Sequence, residues 1–253
     1  MSTLDVPIGS VQTTVRVIEA LTDVDGAGVS EIAAYLDLPT STVFDHLQTL
    51  ERNEFVVGGD DGYRVGSRFL EIGGHVRKHD PLYQVAEPEI QKVANRTGEH
   101  ANLVVEEFGR AVFYAKAEGE DAFQLDTHVG KTVNLSTTAA GKAILAELDD
   151  EDVRAVLDKH GLPAITDRTI TDRDRLFEAL AGVRERGFAF DDEERIPGVR
   201  CVGAAITGED GDVLGSISVS GPKSGMQDER FREEIPALVQ RTTNVVEVNM
   251  KYR

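Results

Sequence analysis

Residues 28–52, Gly-Val-Ser-Glu-Ile-Ala-Ala-Tyr-Leu-Asp-Leu-Pro-Thr-Ser-Thr-Val-Phe-Asp-His-Leu-Gln-Thr-Leu-Glu-Arg, carry two short helical patterns separated by a proline turn. Ser30 is placed to cap the first helix, and Ile32, Ala33 and Leu36 recur at helical spacing to give it one apolar stripe. Asp37 to Pro39 break the pattern. Pro39 suits a helix start, with Thr40 or Ser41 near the cap, and Val43, Leu47 and Leu50 follow at i, i+4 and i+7. This is the pattern of a helix-turn-helix. At about 100° per residue, Ser41, Asp45, Gln48 and Arg52 lie opposite the second stripe, with Thr42 and Phe44 at its flanks.

In such motifs the N-terminal part of the second helix enters the major groove, so Ser41, Thr42, Phe44 and Asp45 are candidates for base edges, with Thr40, Gln48 and Arg52 beside them. Hydroxyls read several bases, an acid accepts from cytosine, and an aromatic ring packs on a thymine methyl. The competing reading is the solvated face of an ordinary helical hairpin. Phe55-Val56-Val57 and Tyr63-Arg64-Val65 then flank the turn Gly58-Gly59-Asp60-Asp61-Gly62, which reads as a β-hairpin. Helix, helix-turn-helix and hairpin in that order make a winged helix, in which Arg64 and Arg68 could meet phosphates.

The chain of 253 residues is long enough for two cores. Residues 10–22 read as a first helix with Val11, Val15, Ile18 and Leu21 on its inner face. Ser67 opens a further helix through Phe69, Leu70, Ile72 and Val76 that Pro81 stops, with Gly73-Gly74 marking close packing or a hinge. The expected organisation is a winged helix over 1–66, a linker helix over 67–81 and a larger domain over 82–253. From Leu82 the pattern is α+β. A helix ends near Gly98, and strands follow at 101–106 and 111–117, with a further pair at Phe123–Thr127 and Thr132–Leu135. Helices at 137–148, 151–160 and 172–186 precede strands at 188–191, 201–207 and 213–220, and a last helix spans about 228–250. The fold class is α+β, with helices segregated on an antiparallel sheet.

Charge pulls against DNA binding. Forty-five acidic residues outweigh 27 basic ones for a net of −18, with 19 Arg against 8 Lys. Residues 1–80 alone carry thirteen acidic and six basic side chains, a net of −7. A DNA-binding domain is ordinarily basic. The acidic, lysine-poor composition resembles that of proteins from salt-accumulating archaea. In near-molar salt counterion release adds little driving force, so affinity would rest on shape, direct contacts and dimerisation. No apolar run approaches a membrane span, and the first seven residues lack the basic start and apolar core of a secretion signal, so a cytoplasmic protein is expected. Cys201, the only cysteine, rules out an intrachain disulfide and any multi-cysteine metal site. No cofactor or metal is expected.

Three stretches offer chemistry. Ser136-Thr137-Thr138-Ala139-Ala140-Gly141-Lys142-Ala143 opens a helix with hydroxyls and small residues, either a seat for an anion on exposed N–H groups or a capped helix packed closely on the sheet. It is no phosphate loop, because the upstream glycine of GxxxxGK[ST] is absent and Ala143 follows Lys142. Alternation puts Ser216, Ser218 and Ser220 on one strand face, turned to solvent or to a polar pocket, with Cys201, Gly203 and Ala205 sharing a face on the neighbouring strand. Asp191-Asp192-Glu193-Glu194 is a solvated loop or places a carboxylate beside that pocket. Cys201 is an attacking thiol or, with no local Cys–His signature, a small thiol lining core or pocket.

Taken together, Leu-Pro-Thr-Ser-Thr-Val-Phe-Asp-His-Leu-Gln-Thr-Leu (38–50), Leu-Ser-Thr-Thr-Ala-Ala-Gly-Lys-Ala-Ile-Leu-Ala (135–146), Asp-Asp-Glu-Glu-Arg-Ile-Pro-Gly-Val-Arg-Cys-Val-Gly-Ala-Ala-Ile (191–206) and Ser-Ile-Ser-Val-Ser-Gly-Pro (216–222) resemble the IclR family of transcriptional regulators. The resemblance spans nearly the whole chain. It implies an N-terminal winged helix on double-stranded operator DNA, a linker helix, a GAF-like effector domain, and homodimers or homotetramers. It further implies a small-molecule effector, an organic acid or sugar derivative, held by Ala139, Ala140, Asp191, Cys201, Ser218 and Ser220. Where relatives carry basic residues in the recognition helix, this chain has Thr40 and Asp45. Two other classes fit the residues alone: an enzyme using Cys201 with Asp191, and an acidic winged helix that binds protein.

Overall fold

The computed structural model describes residues 6–253, which divide after Val76 into two compact units. The leader reading on residues 1–7 falls largely outside the described residues. No described helix is long and apolar enough to cross a membrane.

The first unit packs α1 (Gly9–Asp23), α2 (Val29–Leu36) and α3 (Thr40–Arg52) around Val17, Ala20, Leu21, Ile32, Val43 and Leu47. The inner face of α1 is centred on Val17, Ala20 and Leu21, whereas Val11 and Val15, expected inside, are 56% and 41% exposed. A helix of this length presents more apolar side chains than two short partners can cover. Ser30 does not cap α2: it lies inside the first turn, Gly28 is the cap, and the Glu31 carboxylate accepts from the Gly28 N–H at 2.8 Å. Asp37 closes α2 in the left-handed region (φ 53°), with its N–H on the carbonyls of Ala33 and Ala34. Pro39 is the cap residue of α3 and Thr40 its first residue, one position later than expected.

β1 (Val56–Gly59) and β2 (Gly62–Val65) form the hairpin, with Gly59 opposite Gly62, so only Asp60 and Asp61 make the turn. Tyr63 and Ala27 exchange both backbone hydrogen bonds, at 2.9 and 3.0 Å, tying the hairpin to the α1–α2 loop. Gly62 makes this possible: its φ is +110°, and a Cβ there would lie 2.6 Å from the Ala27 carbonyl. Helix α4 (Arg68–His79) follows, and its Gly73 and Gly74 are helical with nothing within 4 Å of where a Cβ would stand, so close packing within the chain does not explain them.

The second unit opens with α5 (Pro81–Thr97), whose cap Asp80 accepts from the Tyr83 N–H and whose end is closed by Gly98 in the left-handed region. Its sheet has six antiparallel strands in the order β5-β4-β3-β8-β7-β6, namely β3 (His100–Glu107), β4 (Arg110–Glu118), β5 (Thr132–Asn134), β6 (Ala189–Asp192), β7 (Val199–Thr207) and β8 (Val213–Pro222). One face buries Leu103, Val202, Ile217 and Val219 under α5 and the C-terminal helix α9 (Ile235–Lys251), which is preceded by a π-helical turn at Arg230–Glu234. The other face carries α6 (Ala139–Glu147), α7 (Asp150–His160) and α8 (Arg173–Arg186) over Val104, Phe113 and Ala189. Ser216, Ser218 and Ser220 alternate with the core residues of β8 and are buried, not solvated.

Phe123–Thr127 is not a strand. Its carbonyls are taken up by side chains, Phe123 O by His100 Nε2 at 2.5 Å and Thr127 O by Lys116 Nζ at 3.1 Å, while β5 pairs with β4 alone. The helix expected from Thr137 begins at Ala139 after a 3₁₀ turn over Leu135–Thr137. Eight of the nine residues of α6 are buried, and two glycines allow that depth. A Cβ on Gly141 would stand 2.1 Å from Leu135 O, and one on Gly203 of β7 would stand 2.7 Å from Ala140 N.

Gly203→Ala is therefore expected to lower stability by about 1–3 kcal/mol through overpacking. Gly73→Ala, in open space on a helix, should raise it by about 0.5–1 kcal/mol. Urea unfolding of both variants checks the pair; equal effects would refute the close approach.

Candidate functional site

The first candidate surface is the outer face of α3 with the hairpin. Val43, Leu47 and Leu50 are buried, which turns Thr40, Ser41, Phe44, Asp45 and Arg52 outward, with Thr42 and Gln48 half-buried at the margins. Arg64 is exposed on β2. Arg68 is held by its own unit: it donates to Asn53 O at 3.0 Å, lies 3.5 Å from Glu54 and stacks over Phe55 at 5.0 Å. With five N–H groups, it keeps donors for an outside partner. His46 is turned away from that surface by a 2.8 Å hydrogen bond between its Nδ1 and Thr14 Oγ1.

The second is a narrow cavity between α6 and the sheet, about 20 Å³, room for a water molecule. Ala139, Ala140, Asp191, Cys201, Ser218 and Ser220 all line it. The register explains their meeting: Asp191 pairs with Cys201 and Cys201 with Ser220 in one row, and Ser218 pairs with Asn102 in the next row on the same face, so two neighbouring rows bring polar side chains from four strands together. At α6, Thr138 Oγ1 accepts from the Gly141 N–H at 2.9 Å. The N–H groups of Ala139 and Ala140, at the positive end of the helix, have no other bond among the described residues and border the cavity.

Asp191 is 2% exposed and accepts from the Glu194 N–H at 2.8 Å. Burial pushes its carboxyl up to about 6, against the pull of Lys142 and with a push from Glu194. Lys142, itself buried, hydrogen-bonds and ion-pairs with Glu194 beneath the cavity floor. Burial first, and then the Asp191 charge, push the Cys201 thiol up, so it stays protonated and is a poor nucleophile.

Several lining residues escape sequence reasoning. Asn102 is 2% exposed, donates to Ser218 Oγ at 3.5 Å, and its Oδ1 has no partner among the described residues. Its signal was a polar side chain in the otherwise apolar run from Ala101 to Val105. Thr138 and Arg195 sit inside stretches already singled out, whereas Phe113, Leu125, Thr127, Ile196 and Val199 complete the walls and carry no pattern of their own.

Residues 74–247 match the family described as bacterial transcriptional regulator IclR C-terminal, and residues 10–58 match the IclR helix-turn-helix domain. Over 248 residues the chain is 34% identical to the probable HTH-type transcriptional regulator ArcR of Halobacterium salinarum, covering 96% of this chain and 94% of that one. It is similar to the IclR structure of Thermotoga maritima at a TM-score of 0.77 and 28% identity, over 96% of this chain and 100% of that one. An IclR homologue from Microbacterium hydrocarbonoxydans, solved in complex with 4-hydroxybenzoate, shares the fold at a TM-score of 0.82 and 24% identity, over 96% and 100% of the two chains. With both parts matched in order along the sequence, the chain belongs to the IclR family of DNA-binding transcriptional regulators, which carry a C-terminal effector-binding domain.

Proposed function

We propose that this regulator is a cytoplasmic homodimer or homotetramer whose α3 and hairpin read an operator through Thr40, Ser41, Thr42, Phe44, Asp45, Gln48 and Arg52, with Arg64 and Arg68 on phosphates. A small organic acid in the α6 cavity modulates that binding. The proposed working division is winged helix 1–66, linker helix 67–81 and effector domain 82–253. The observation that carries the effector site is the cavity itself, which the Ala139–Ala140 start of α6 lines together with Asp191, Cys201, Ser218 and Ser220. A carboxylate satisfies the N–H groups at a helix start. 4-Hydroxybenzoate, bound by the Microbacterium protein, supplies one probe, and the cavity, about 20 Å³ as it stands, must widen toward its mouth to admit a molecule of that size. A thiol held protonated is a poor nucleophile, which favours binding over thiol-based turnover.

Coupling requires the effector to differ in affinity between the DNA-bound and free arrangements of the linked winged helices. A footprinting assay at near-molar potassium chloride, on fragments upstream of the gene itself and its neighbours, tests both halves. A roughly symmetric protected site that responds to one acid is expected. With Arg52, Arg64 and Arg68 as the basic groups of the surface, the salt slope should be shallow, no steeper than about −3 per winged helix. A folded protein that protects no DNA at any salt would redirect the acidic winged helix to a protein partner.

Affinity for the acid should depend on pH through Asp191, which is faced by Lys142, Glu194, Arg195 and Cys201. The neutral carboxyl accepts an anionic neighbour and the ionised one repels it. With its pKa raised to about 6, binding is strongest below that pH and weakens above it, by about tenfold per unit at the limit. Asp191→Asn should flatten the profile. Calorimetric titration from pH 5 to pH 8 reads this directly, and a flat profile for the unaltered protein would remove Asp191 from the site.

A further inference from the structure

We propose that Arg195 selects an anionic effector and closes the cavity over it, its guanidinium joining the ligand carboxylate to the loop that forms the opposite lip of the mouth. The inference rests on the reading of the cavity as the organic-acid site and names the residue that recognises the acid.

Beside the mouth lies an open groove of about 750 Å³, with Phe123, Gln124, Leu125 and Asp126 on one side and Arg195 through Val199 on the other. Leu125, Arg195, Ile196 and Val199 border both groove and cavity, so these four residues form the wall between them. Among the described residues one hydrogen bond crosses from lip to lip: Arg195 Nη2 donates to Asp126 O at 3.3 Å. Arg195 is rooted in the loop after β6, yet its guanidinium lies 5.6 Å from the ring centre of Phe113 on β4. Its side chain therefore spans the opening.

Charge singles out the same residue. Arg195 is the one cation among the described residues lining the cavity, and it forms no ion pair among them. Of the acids around it, Asp191 on the cavity wall accepts from the Glu194 N–H and has no ion pair among the described residues, and the others have cations of their own. Asp126 pairs with Lys131, Asp192 with Arg200 and Arg168, Glu193 with Lys223 and Arg168, and Glu194 with Lys142. In a chain with 45 carboxylates, a half-buried arginine at a cavity mouth is left without one. A ligand carboxylate supplies it, and a planar guanidinium holds a carboxylate with two N–H groups while a third stays on Asp126 O. Deeper in, Asn102 presents a buried amide end without a partner. A hydroxyl both donates and accepts and so satisfies it. The ligand class is a small hydroxycarboxylate, anchored at Arg195 and the α6 N–H groups and read for its hydroxyl at Asn102.

The full chain, its Arg195→Gln variant and its Arg195→Lys variant are titrated calorimetrically, in one buffer of fixed salt, with glycolate against glycolamide and 4-hydroxybenzoate against 4-hydroxybenzamide. Hydrogen exchange of residues 119–131 is followed with and without each acid. The unaltered protein should prefer at least one acid to its amide. Arg195→Gln should weaken that acid roughly 10- to 100-fold while leaving the amide within about threefold. Arg195→Lys should recover part of the preference for the acid. The acid should slow exchange in 119–131 in the unaltered protein and not in Arg195→Gln. Acid preference retained in Arg195→Gln overturns the role of Arg195 and leaves the cavity reading standing. Exchange in 119–131 that ignores a bound acid overturns the closure. If the folded, unaltered protein binds neither acid, the organic-acid reading fails and takes this inference with it.

Discussion

The larger unit depends on one close approach, that of the α6 backbone to β7 and to the turn at Leu135, with no side chain between them. Gly203 and Gly141 are glycine because a methyl group at either would overlap main chain. Lowered to that depth, α6 has no room to send Lys142 to solvent, and the ammonium must find a carboxylate inside. Glu194 provides it, and a Glu194 so held presents its N–H to Asp191. A buried ion pair adds little stability over an apolar pair of the same shape, and breaking it by removing one partner is costly. Its value here is positional: it relates a helix to a loop 52 residues away.

The smaller unit has its own constraint, the meeting of the hairpin with the α1–α2 loop. The paired hydrogen bonds between Tyr63 and Ala27 add a third strand-like contact to a two-stranded hairpin, which alone would be marginal in water. The hairpin and α3 therefore present themselves to a partner as one surface. That surface is acidic, so shape and hydrogen bonding must contribute what net charge does not.

Strong periodicity made most elements legible. The stripe of α3, the hairpin runs, Gly98 as a helix stop and the serine alternation of β8 each follow from local rules that the tertiary fold did not override. The misreadings have physical causes. Val11 and Val15 follow helical spacing, but spacing gives the direction of an apolar stripe and not the extent of what covers it. Ser30 is a good cap residue, yet the Glu31 side chain serves the Gly28 N–H, which moves the boundary. Phe123–Thr127 has strand composition, but its carbonyls meet His100 and Lys116, side chains from strands already paired elsewhere. In the cavity, the small and hydroxyl-bearing residues stood out because their spacing was unusual. Asn102 and Arg195 did not, because the former draws its significance from the register of β3 on β8 and the latter from the ring it reaches on β4.

The alternation along β8 divides two tasks between the two sides of one strand. Ile217 and Val219 belong to the core under α5 and α9, whereas Ser218 and Ser220 belong to the cavity. An exchange of one serine for another small polar residue alters the chemistry of the cavity wall and leaves the core untouched. A single-residue insertion or deletion turns every following side chain over, putting hydroxyls into the core and isoleucine into the cavity. The cavity wall can therefore change chemically through point substitutions on β8, while the length of the strand is held by the core on its other side.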